Sequence, residues 1–341
     1  MKYIKKIAGV KHFFLLKGEE VIATEGKVQI GALTLDMAPK DDIFCENNVL
    51  IKKDSTKKDK DGFKKQFTYK EGKWDEDFPR YGEFQYFSEN LYYSRERNKE
   101  EQLMRYSIIE NGKETLFEIK SELGLKLHRY NERHSIYIFP EIRDRGLLFY
   151  TKDLQFLWKY QIDEPNVEIA QPLNYTIVDD AIVIVRCQTL SMTKYKYSME
   201  AFCIRNGERK WGPKELPYKP SFRVGGDGFI YAMEQDDGGY TFVVRLDPKN
   251  GELTEHGIKS ELLNPDDRIN GHSFIDKNMM YFTSNSPVPT IGVIDLKTMQ
   301  LLEYQKMETE WEAWTTEDPI VTEDKVYLYV PLAEELHILQ R

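Results

Sequence analysis

Cysteine is scarce in this chain: Cys45, Cys187 and Cys203 are the only three among 341 residues. An exported scaffold of this size more often carries none or paired sets, so the count favours an unexported, cytoplasmic protein without a disulfide framework. Cys187 and Cys203 either face each other across neighbouring strands or are two buried thiols that act as small apolar residues.

Long apolar runs are missing as well. No segment approaches the roughly 20 consecutive apolar residues that a membrane span requires. The lysines of residues 1–10 are not followed by an apolar run of signal-peptide length, because residues 12–16 are too few and charged residues come directly after them. We therefore expect a protein that is neither exported nor bound in a membrane.

An excess of positive charge is also absent. The formal net charge is -9 and the isoelectric point is near 5.4. Binding to nucleic acid of any sequence depends on lysine and arginine neutralising phosphates, so this balance argues against general nucleic-acid binding.

Recognisable catalytic and metal-binding motifs are absent too. The sequence has no G-x-S-x-G elbow, Walker loop or G-x-G-x-x-G. Of its six histidines only His128 and His134 are close together, at a spacing that fits no usual ligand pattern. The acidic run at residues 234–239 lacks the alternation of an EF-hand loop. We assign no catalytic residue, metal or cofactor from the sequence.

A repeat of a polar turn followed by an apolar strand runs through the chain. Taking the first inward-type residue of each strand as an anchor gives seven positions, 42, 45, 46, 48, 50 and 46 residues apart: Val49, Leu91, Ile136, Ile182, Ile230, Met280 and Val326. Five of these anchors are followed directly by tyrosine. Further strands and tight turns around each anchor complete a unit of four antiparallel strands. Such a unit, at this period, is typical of a propeller blade.

We therefore predict an all-β fold, a β-propeller of seven four-stranded blades, with eight blades as the alternative. The last unit lacks its fourth strand, while the first 38 residues contain several strands. The prediction is one domain over residues 1–341, with the ring closed by pairing of strands from about 1–38 and about 317–341. An eighth, compact blade within the first 38 residues is the competing interpretation.

Two repeat families resemble parts of the chain. Residues 225–257, with Gly225-Gly226, an Ile-Tyr strand and an LDPKNG turn, resemble a kelch blade, although Thr254 stands where tryptophan is usual. The segments LFYTKDLQFLWKY and VIDLKTMQLLEY resemble the PQQ-type, quinoprotein-like repeat. Neither motif is matched fully. The resemblance implies a propeller fold and carries no function with it.

Loop composition points to candidate binding residues. Connections between second and third strands, and between blades, are long and varied, whereas the other connections are short. In the long class, Trp311 and Trp314 stand beside Glu310 and Glu312, a composition typical of interaction hot spots. The competing interpretation is that these tryptophans fill a blade interface.

A second long connection alternates Tyr195 and Tyr197 with Lys194 and Lys196. It is either a dedicated site or a plain twisted hairpin with alternating faces. The leading hypothesis is a non-enzymatic propeller that binds another protein through its loop-rich face, as a bacterial toxin-neutralising (immunity) protein or an assembly protein. The alternative is an enzyme or carbohydrate-binding protein, of glycosidase, lyase or lactonase type, that holds a small molecule or glycan in the central channel.

Overall fold

The computed structural model describes most of the chain, and every structural statement below refers to that part. The described residues are 1–38, 41–46, 48–58, 64–75, 83–88, 91–98, 103–111, 113–120, 129–140, 145–170, 174–235, 239–258, 262–263, 269–284, 288–307, 309 and 316–341. Their regular structure is almost entirely antiparallel β-sheet. The chain divides into two compact units, Ile7–Tyr130 and Met1–Lys6 with Asn131–Arg341. The prediction of one domain over residues 1–341 stays a prediction.

The unit of Ile7–Tyr130 contains three four-stranded sheets, each formed by strands that are consecutive in the chain. Blade 1 consists of β2 (His12–Leu16), β3 (Glu19–Thr24), β4 (Lys27–Ile30) and β5 (Leu33–Asp36). Blade 2 consists of β6 (Asp42–Glu46), β7 (Val49–Lys58), β8 (Lys64–Lys70) and β9 (Lys73–Trp74). Blade 3 consists of β10 (Glu83–Ser88), β11 (Leu91–Asn98), β12 (Leu103–Glu110) and β13 (Lys113–Lys120).

Blades 4 to 7 belong to the other unit, apart from residues 129–130 at the start of blade 4. Blade 4 consists of β14 (Arg129–Asn131), β15 (Ile136–Pro140), β16 (Gly146–Thr151) and β17 (Phe156–Gln161). Blade 5 has five strands, β18 (Val167–Ile169), β19 (Tyr175–Val178), β20 (Ala181–Ser191), β21 (Lys194–Cys203) and β22 (Arg209–Leu216), with β18 and β19 both paired to β20. Blade 6 consists of β23 (Arg223–Val224), β24 (Ile230–Gln235), β25 (Thr241–Leu246) and β26 (Leu253–Gly257). Blade 7 consists of β27 (Ile269–Asp276), β28 (Met279–Ser284), β29 (Thr290–Asp295) and β30 (Gln300–Lys306).

Blade 8 combines the two ends of the chain. It consists of β31 (Ile320–Val321), β32 (Lys325–Val330), β33 (Glu335–Gln340) and β1 (Lys2–Ala8), with a short 3-10 helix at Pro331–Ala333 between β32 and β33. The N-terminal strand β1 is hydrogen-bonded to the C-terminal strand β33. The N-terminus thereby supplies the fourth strand that the C-terminal repeat lacks.

The described strands form eight blades, so the prediction of seven is wrong and the eight-bladed alternative is confirmed. The seven anchor positions all lie on the second strand of blades 2 to 8, counted across the sheet so that this strand is β20 in blade 5, and each is less than 8% exposed: Val49, Leu91, Ile136, Ile182, Ile230, Met280 and Val326. The uncounted blade is blade 1. Its four strands fit between His12 and Asp36, with two-residue turns at each connection, so it falls below the 42-to-50-residue period.

From blade 4 to blade 8, each blade packs on the next through an apolar cluster that contains long buried stretches of strand. Between blades 4 and 5, Phe149 and Trp158 stack with ring centroids 3.9 Å apart, and Ile182 and Ile184 of blade 5 join the same cluster. Further clusters lie between blades 5 and 6, 6 and 7, and 7 and 8. A strand buried on both faces reads as a continuous apolar run, which explains why the anchor strands show no polar alternation.

Two tryptophans join successive blades in the same way. The Trp158 indole on β17 donates to the carbonyl of Ile204 in blade 5 at 2.8 Å, and its ring covers Gly207. A Cβ at Gly207 would come within 2.6 Å of that ring, and the residue has φ +72°, which favours glycine. Trp211 and Gly251 repeat the arrangement between blades 5 and 6.

The cysteines do not form a bridge. All three are free thiols. Cys187 lies opposite Tyr197 and Cys203 lies opposite Ala181, so the two cysteines on β20 and β21 stand at different levels of the ladder. Cys187 is buried and Cys203 is half-buried, which matches small apolar residues more closely than a redox pair.

A buried histidine lies where the chain ends meet. The His337 ring on β33 is fully buried, 3.4 Å from the Tyr3 hydroxyl and 3.3 Å from the Glu335 carboxylate, to which Lys6 also donates at 3.0 Å. Burial lowers the pKa of His337, and Lys6 lowers it further, while the charge of Glu335 opposes the shift.

This burial predicts an acid-sensitive contribution to stability. A histidine whose pKa is lowered in the folded state stabilises the fold above its unfolded pKa of about 6.5. That contribution to stability is lost as the pH falls from about 6.5 towards the lower pKa of His337 in the folded protein. We expect the denaturation midpoint of the wild type to fall more steeply below about pH 6.5 than that of a His337→Gln variant, measured by urea titration at several pH values. If the denaturation midpoint depended on pH in the same way in both proteins, His337 would not be the source of the acid sensitivity.

Candidate functional site

Strand direction places the connections of blades 4 to 8 at two opposite ends. In an antiparallel blade, the connection from second to third strand and the connection to the next blade leave from one end. We call that end of blades 4 to 8 the loop face. The described residues of its connections are 145, 162–166, 192–193, 217–222, 239–240, 258, 262–263, 288–289, 307, 309, 316–319 and 331–334. The other end carries only short connections within blades.

Large apolar side chains are exposed on the loop face. Six of those described lie on its connections or on the hairpin ends beside them: Leu190, Met192, Tyr195, Tyr240, Leu262 and Leu332. Met192 is the extreme case at 95% exposed. Single exposed apolar residues are ordinary, but several at one end of a fold mark an interaction surface.

The hairpin of β20 and β21 is the most prominent element of this face. Its ladder with β18 ends at Gln188 and its ladder with β22 ends at Tyr197. Beyond those residues the two strands continue to pair with each other, Thr189 opposite Tyr195, and turn at Met192. The alternating Lys-Tyr sequence of β21 suits an extended ribbon, because tyrosine favours strands and the lysines stay in water. We call residues 189–196 the hairpin tip.

Tyr195 and Tyr197 have different environments. Tyr195 is 51% exposed, and its hydroxyl donates to the Met192 carbonyl at 3.3 Å. Tyr197 is half-buried and packs against the cluster between blades 5 and 6, where burial and the neighbouring Cys187 raise its pKa. The rings lie 6.5 Å apart at 31°. Tyr195 is therefore the accessible member of the pair, held in place by its backbone contact and by Tyr197.

A second group of aromatic rings lies on blade 6 and on the connection that precedes it. Tyr218 packs edge-on against Phe242 at 5.7 Å, and Tyr240 stacks on the same ring at 6.4 Å. Tyr240 crosses Gly257, where any side chain would meet its hydroxyl. The sequence motifs did not identify Tyr218, Tyr240, or the exposed Leu190 and Met192. Gly257, which faces Tyr240, was the available signal in the sequence. It can be recognised only when the pairing of β25 with β26 is known.

A neutral carboxyl lies at the same end of blade 6. Burial raises the pKa of Glu234 to about 8, so at neutral pH this side chain is mostly protonated. The neighbouring Asp236 and Asp237 lie outside the described residues, as do four of the sequence candidates, Glu310, Trp311, Glu312 and Trp314.

A cluster of charged side chains joins the first strands of blades 6 and 7 to the segment before β31. Arg223 on β23 donates to both oxygens of Asp318 at 3.0 and 2.8 Å, and to the Ser273 carbonyl at 2.8 Å. His272 on β27 lies 3.0 Å from Asp318 through Nδ1. Burial acts to raise the pKa of Asp318, but the His272 hydrogen bond and the Arg223 charge together bring it below its usual value.

Metal-binding and membrane-spanning features are not found in the described residues. No group of three or more histidine, cysteine, aspartate or glutamate side chains there is arranged to hold a metal ion. Among those same residues, no helix has the length and apolar character needed to cross a bilayer.

Comparison with known proteins gives a likeness in structure only. No family model and no curated protein matches the chain. Among solved structures, BamB from Moraxella catarrhalis superposes with a TM-score of 0.59 at 10% identity, covering 99% of each chain. The chain is a β-propeller. This confirms the generic propeller resemblance, whereas the closer likeness to kelch repeats stays a prediction.

Two other solved structures resemble this propeller. Virginiamycin B lyase from Staphylococcus aureus has a TM-score of 0.46 at 12% identity, with 99% and 98% of the two chains covered. The β-propeller domain of the trilobed protease from Pyrococcus furiosus has a TM-score of 0.48 at 13% identity, with 87% and 92% covered. At such identities a shared fold does not carry an activity.

Proposed function

We propose that this propeller binds another protein through the loop face, with the hairpin tip as the main contact. The observation that carries the proposal is Met192, 95% exposed at the turn of a ribbon that projects beyond its blade. A large apolar side chain held there gains little in the folded monomer and is available for burial against a partner. The narrower roles predicted from the sequence, immunity and assembly, both require such a surface.

The composition of the hairpin tip supports this proposal. Leu190, Met192 and Tyr195 combine aliphatic, flexible and aromatic contact surface within one turn. Tyrosine is enriched at interface hot spots, and methionine adapts its shape to a partner. The hydrogen bond from Tyr195 to the Met192 carbonyl orders the tip before binding, which lowers the entropy lost on association.

The test is affinity capture from the cells that produce the protein. We expect wild type to retain a stoichiometric protein partner and a Met192→Ser, Tyr195→Ser double variant to lose it. Truncating hot-spot residues costs about 2 kcal/mol or more, so affinity should fall by about 30-fold or more. Both substitutions remove exposed groups, so the circular dichroism spectrum of the folded protein should be unchanged.

Phe156 provides a matched control, because it is an exposed aromatic residue that lies away from the loop face. Phe156 is 56% exposed on β17, the outer strand of blade 4, away from the loop face. Phe156→Ser removes a comparable exposed ring and should leave capture intact. Equal loss of partner in the control, or full retention in the double variant, would contradict the proposal.

The second candidate function is the sequence alternative, a small-molecule or glycan site. Its support is the cluster of Arg223, His272 and Asp318, which gathers a histidine and a carboxylate from separate blades. A carboxylate bound to a histidine Nδ1 orients the ring, as in general-base dyads. Failure to capture any protein with either wild type or variant would favour this cluster over the loop face.

A further inference from the structure

The hairpin carries charge of one sign. Residues 188–198 contain Lys194 and Lys196 and no aspartate or glutamate, in a chain whose net charge is -9. Both lysines are exposed. Lys196 is ion-paired with Glu215 on β22 at 2.5 Å, which leaves Lys194, nearer the turn, as the more prominent positive charge. The tip thus has the opposite sign to the protein as a whole.

Apolar and charged groups alternate along this tip. Thr189 and Tyr195 are cross-strand partners, as are Ser191 and Lys194. Because successive side chains of a strand point to opposite faces, Tyr195 stands between two lysines that share the other face. A partner that reaches over Met192 therefore meets an apolar surface with ammonium groups beside it.

The number of charges argues for a protein ligand. Nucleic-acid binding proteins neutralise several phosphates at once, and recognition of acidic lipids uses clusters of four to eight basic residues. Two lysines on an acidic propeller fall short of both. They suffice to favour carboxylates in a contact that the apolar residues hold, because such charge pairs mainly set specificity and association rate.

Resting on the proposed function, we infer that the partner presents a segment in which aspartate or glutamate flanks an aromatic or large aliphatic side chain. The apolar side chain packs on Met192 and Tyr195, and the carboxylate pairs with Lys194. A basic or purely apolar segment would offer no carboxylate to Lys194.

The test is selection of randomised linear peptides, displayed on phage, against the full-length chain. Selected peptides are then measured against three variants. Lys194→Glu, Lys196→Glu reverses the tip charge, and Met192→Ser, Tyr195→Ser removes the apolar contact. Lys249→Glu, Lys297→Glu makes the same change of net charge on exposed turns at the other end of blades 6 and 7.

We expect peptides enriched in aspartate and glutamate next to phenylalanine, tryptophan or leucine. Their affinity should fall at least about tenfold on reversal of the tip charge at low salt, and that difference should shrink as salt is raised. At about 0.1 M salt the variant with reversed turn charges should bind within about twofold of wild type, because charges beyond a Debye length of about 10 Å are then screened.

The outcomes separate this inference from the proposed function. Selected peptides that lack acidic enrichment, or that bind the charge-reversed variant as tightly as wild type, overturn the inference. The proposed function still stands if those peptides no longer bind the Met192→Ser, Tyr195→Ser variant. Peptides that bind all variants equally, or no enrichment at all, contradict both. Binding to phosphatidylglycerol vesicles that is lost on charge reversal, without acidic peptides, would reassign the tip to a lipid surface.

Discussion

Trp211→Ala is expected to lower the free energy of unfolding by about 3–5 kcal/mol, the range for deleting a buried tryptophan. The ring is buried between blades 5 and 6, and its indole donates to the Pro248 carbonyl at 2.8 Å. The substitution leaves a cavity between blades and an acceptor without its donor. Urea denaturation followed by circular dichroism measures the change, with exposed Phe156→Ala as a control expected within about 0.5 kcal/mol.

Gly251 lies directly against the Trp211 ring and provides a second test of this contact. A Cβ at Gly251 would come within 2.6 Å of Trp211, and the residue has φ +70°. Gly251→Ala should therefore destabilise wild type through both clash and backbone strain, but the Trp211→Ala background through strain alone. The two substitutions should be clearly non-additive in a double-mutant cycle. Additive effects, or a cost below about 1 kcal/mol for Trp211→Ala, would contradict the docking geometry.

Glu200→Ala should cost a similar amount, about 3–5 kcal/mol, for an electrostatic reason. Glu200 is 1% exposed and accepts from the Tyr160 hydroxyl at 2.8 Å. Arg186 and Arg209 lie 3.4 and 3.1 Å from its oxygens. Arg186 is mostly buried. Once the Glu200 carboxylate is removed, its remaining acidic partner is Glu164, which lies exposed at the protein surface. A buried charge that loses its counter-charge is strongly destabilising.

Arg209 provides the comparison within the same network. Its side chain is more than half exposed, so Arg209→Ala removes a screened pair and should cost about 1 kcal/mol or less. Both variants are compared with wild type by urea denaturation at neutral pH. Equal costs for Glu200→Ala and Arg209→Ala would show that burial does not set the strength of this network.

Regular repeats in the sequence were sufficient to predict most of the fold. Each anchor begins an apolar strand behind a polar turn, and burial on both faces requires that pattern, so Val49 through Val326 could be identified without coordinates. Blade 1 escaped the count because its turns, such as Lys17-Gly18 and Glu25-Gly26, are as short as turns can be. Its core residue Val21 therefore lies only 28 positions before Val49.

The turn that precedes each fourth strand shows why motif matching was incomplete. Left-handed residues with positive φ occupy equivalent turns at Leu154, Gly207, Gly251 and Met299. Tryptophan follows four residues later in the first two cases, and glutamate in the others. The backbone repeats while the side chains differ, so a pattern built on glycine and tryptophan recognises only part of the series.

The candidate site was predictable only in part. Alternating lysine and tyrosine identified the hairpin, but the sequence could not separate exposed Tyr195 from half-buried Tyr197. That difference depends on where β22 stops pairing with β21, at Leu216. Exposure of Met192 likewise follows from the hairpin extending past its neighbours, which is a property of strand register and is not encoded in any short motif.

Photochemical crosslinking at the hairpin tip tests the central claim most directly. A photoreactive amino acid replacing Met192 is compared, in the cells that produce the protein, with the same group replacing Phe156. Binding through the loop face predicts a discrete crosslinked protein from position 192 and none from position 156. Crosslinks from position 156 alone, or the same products from both positions, would contradict the assignment of the hairpin tip as the partner-binding surface.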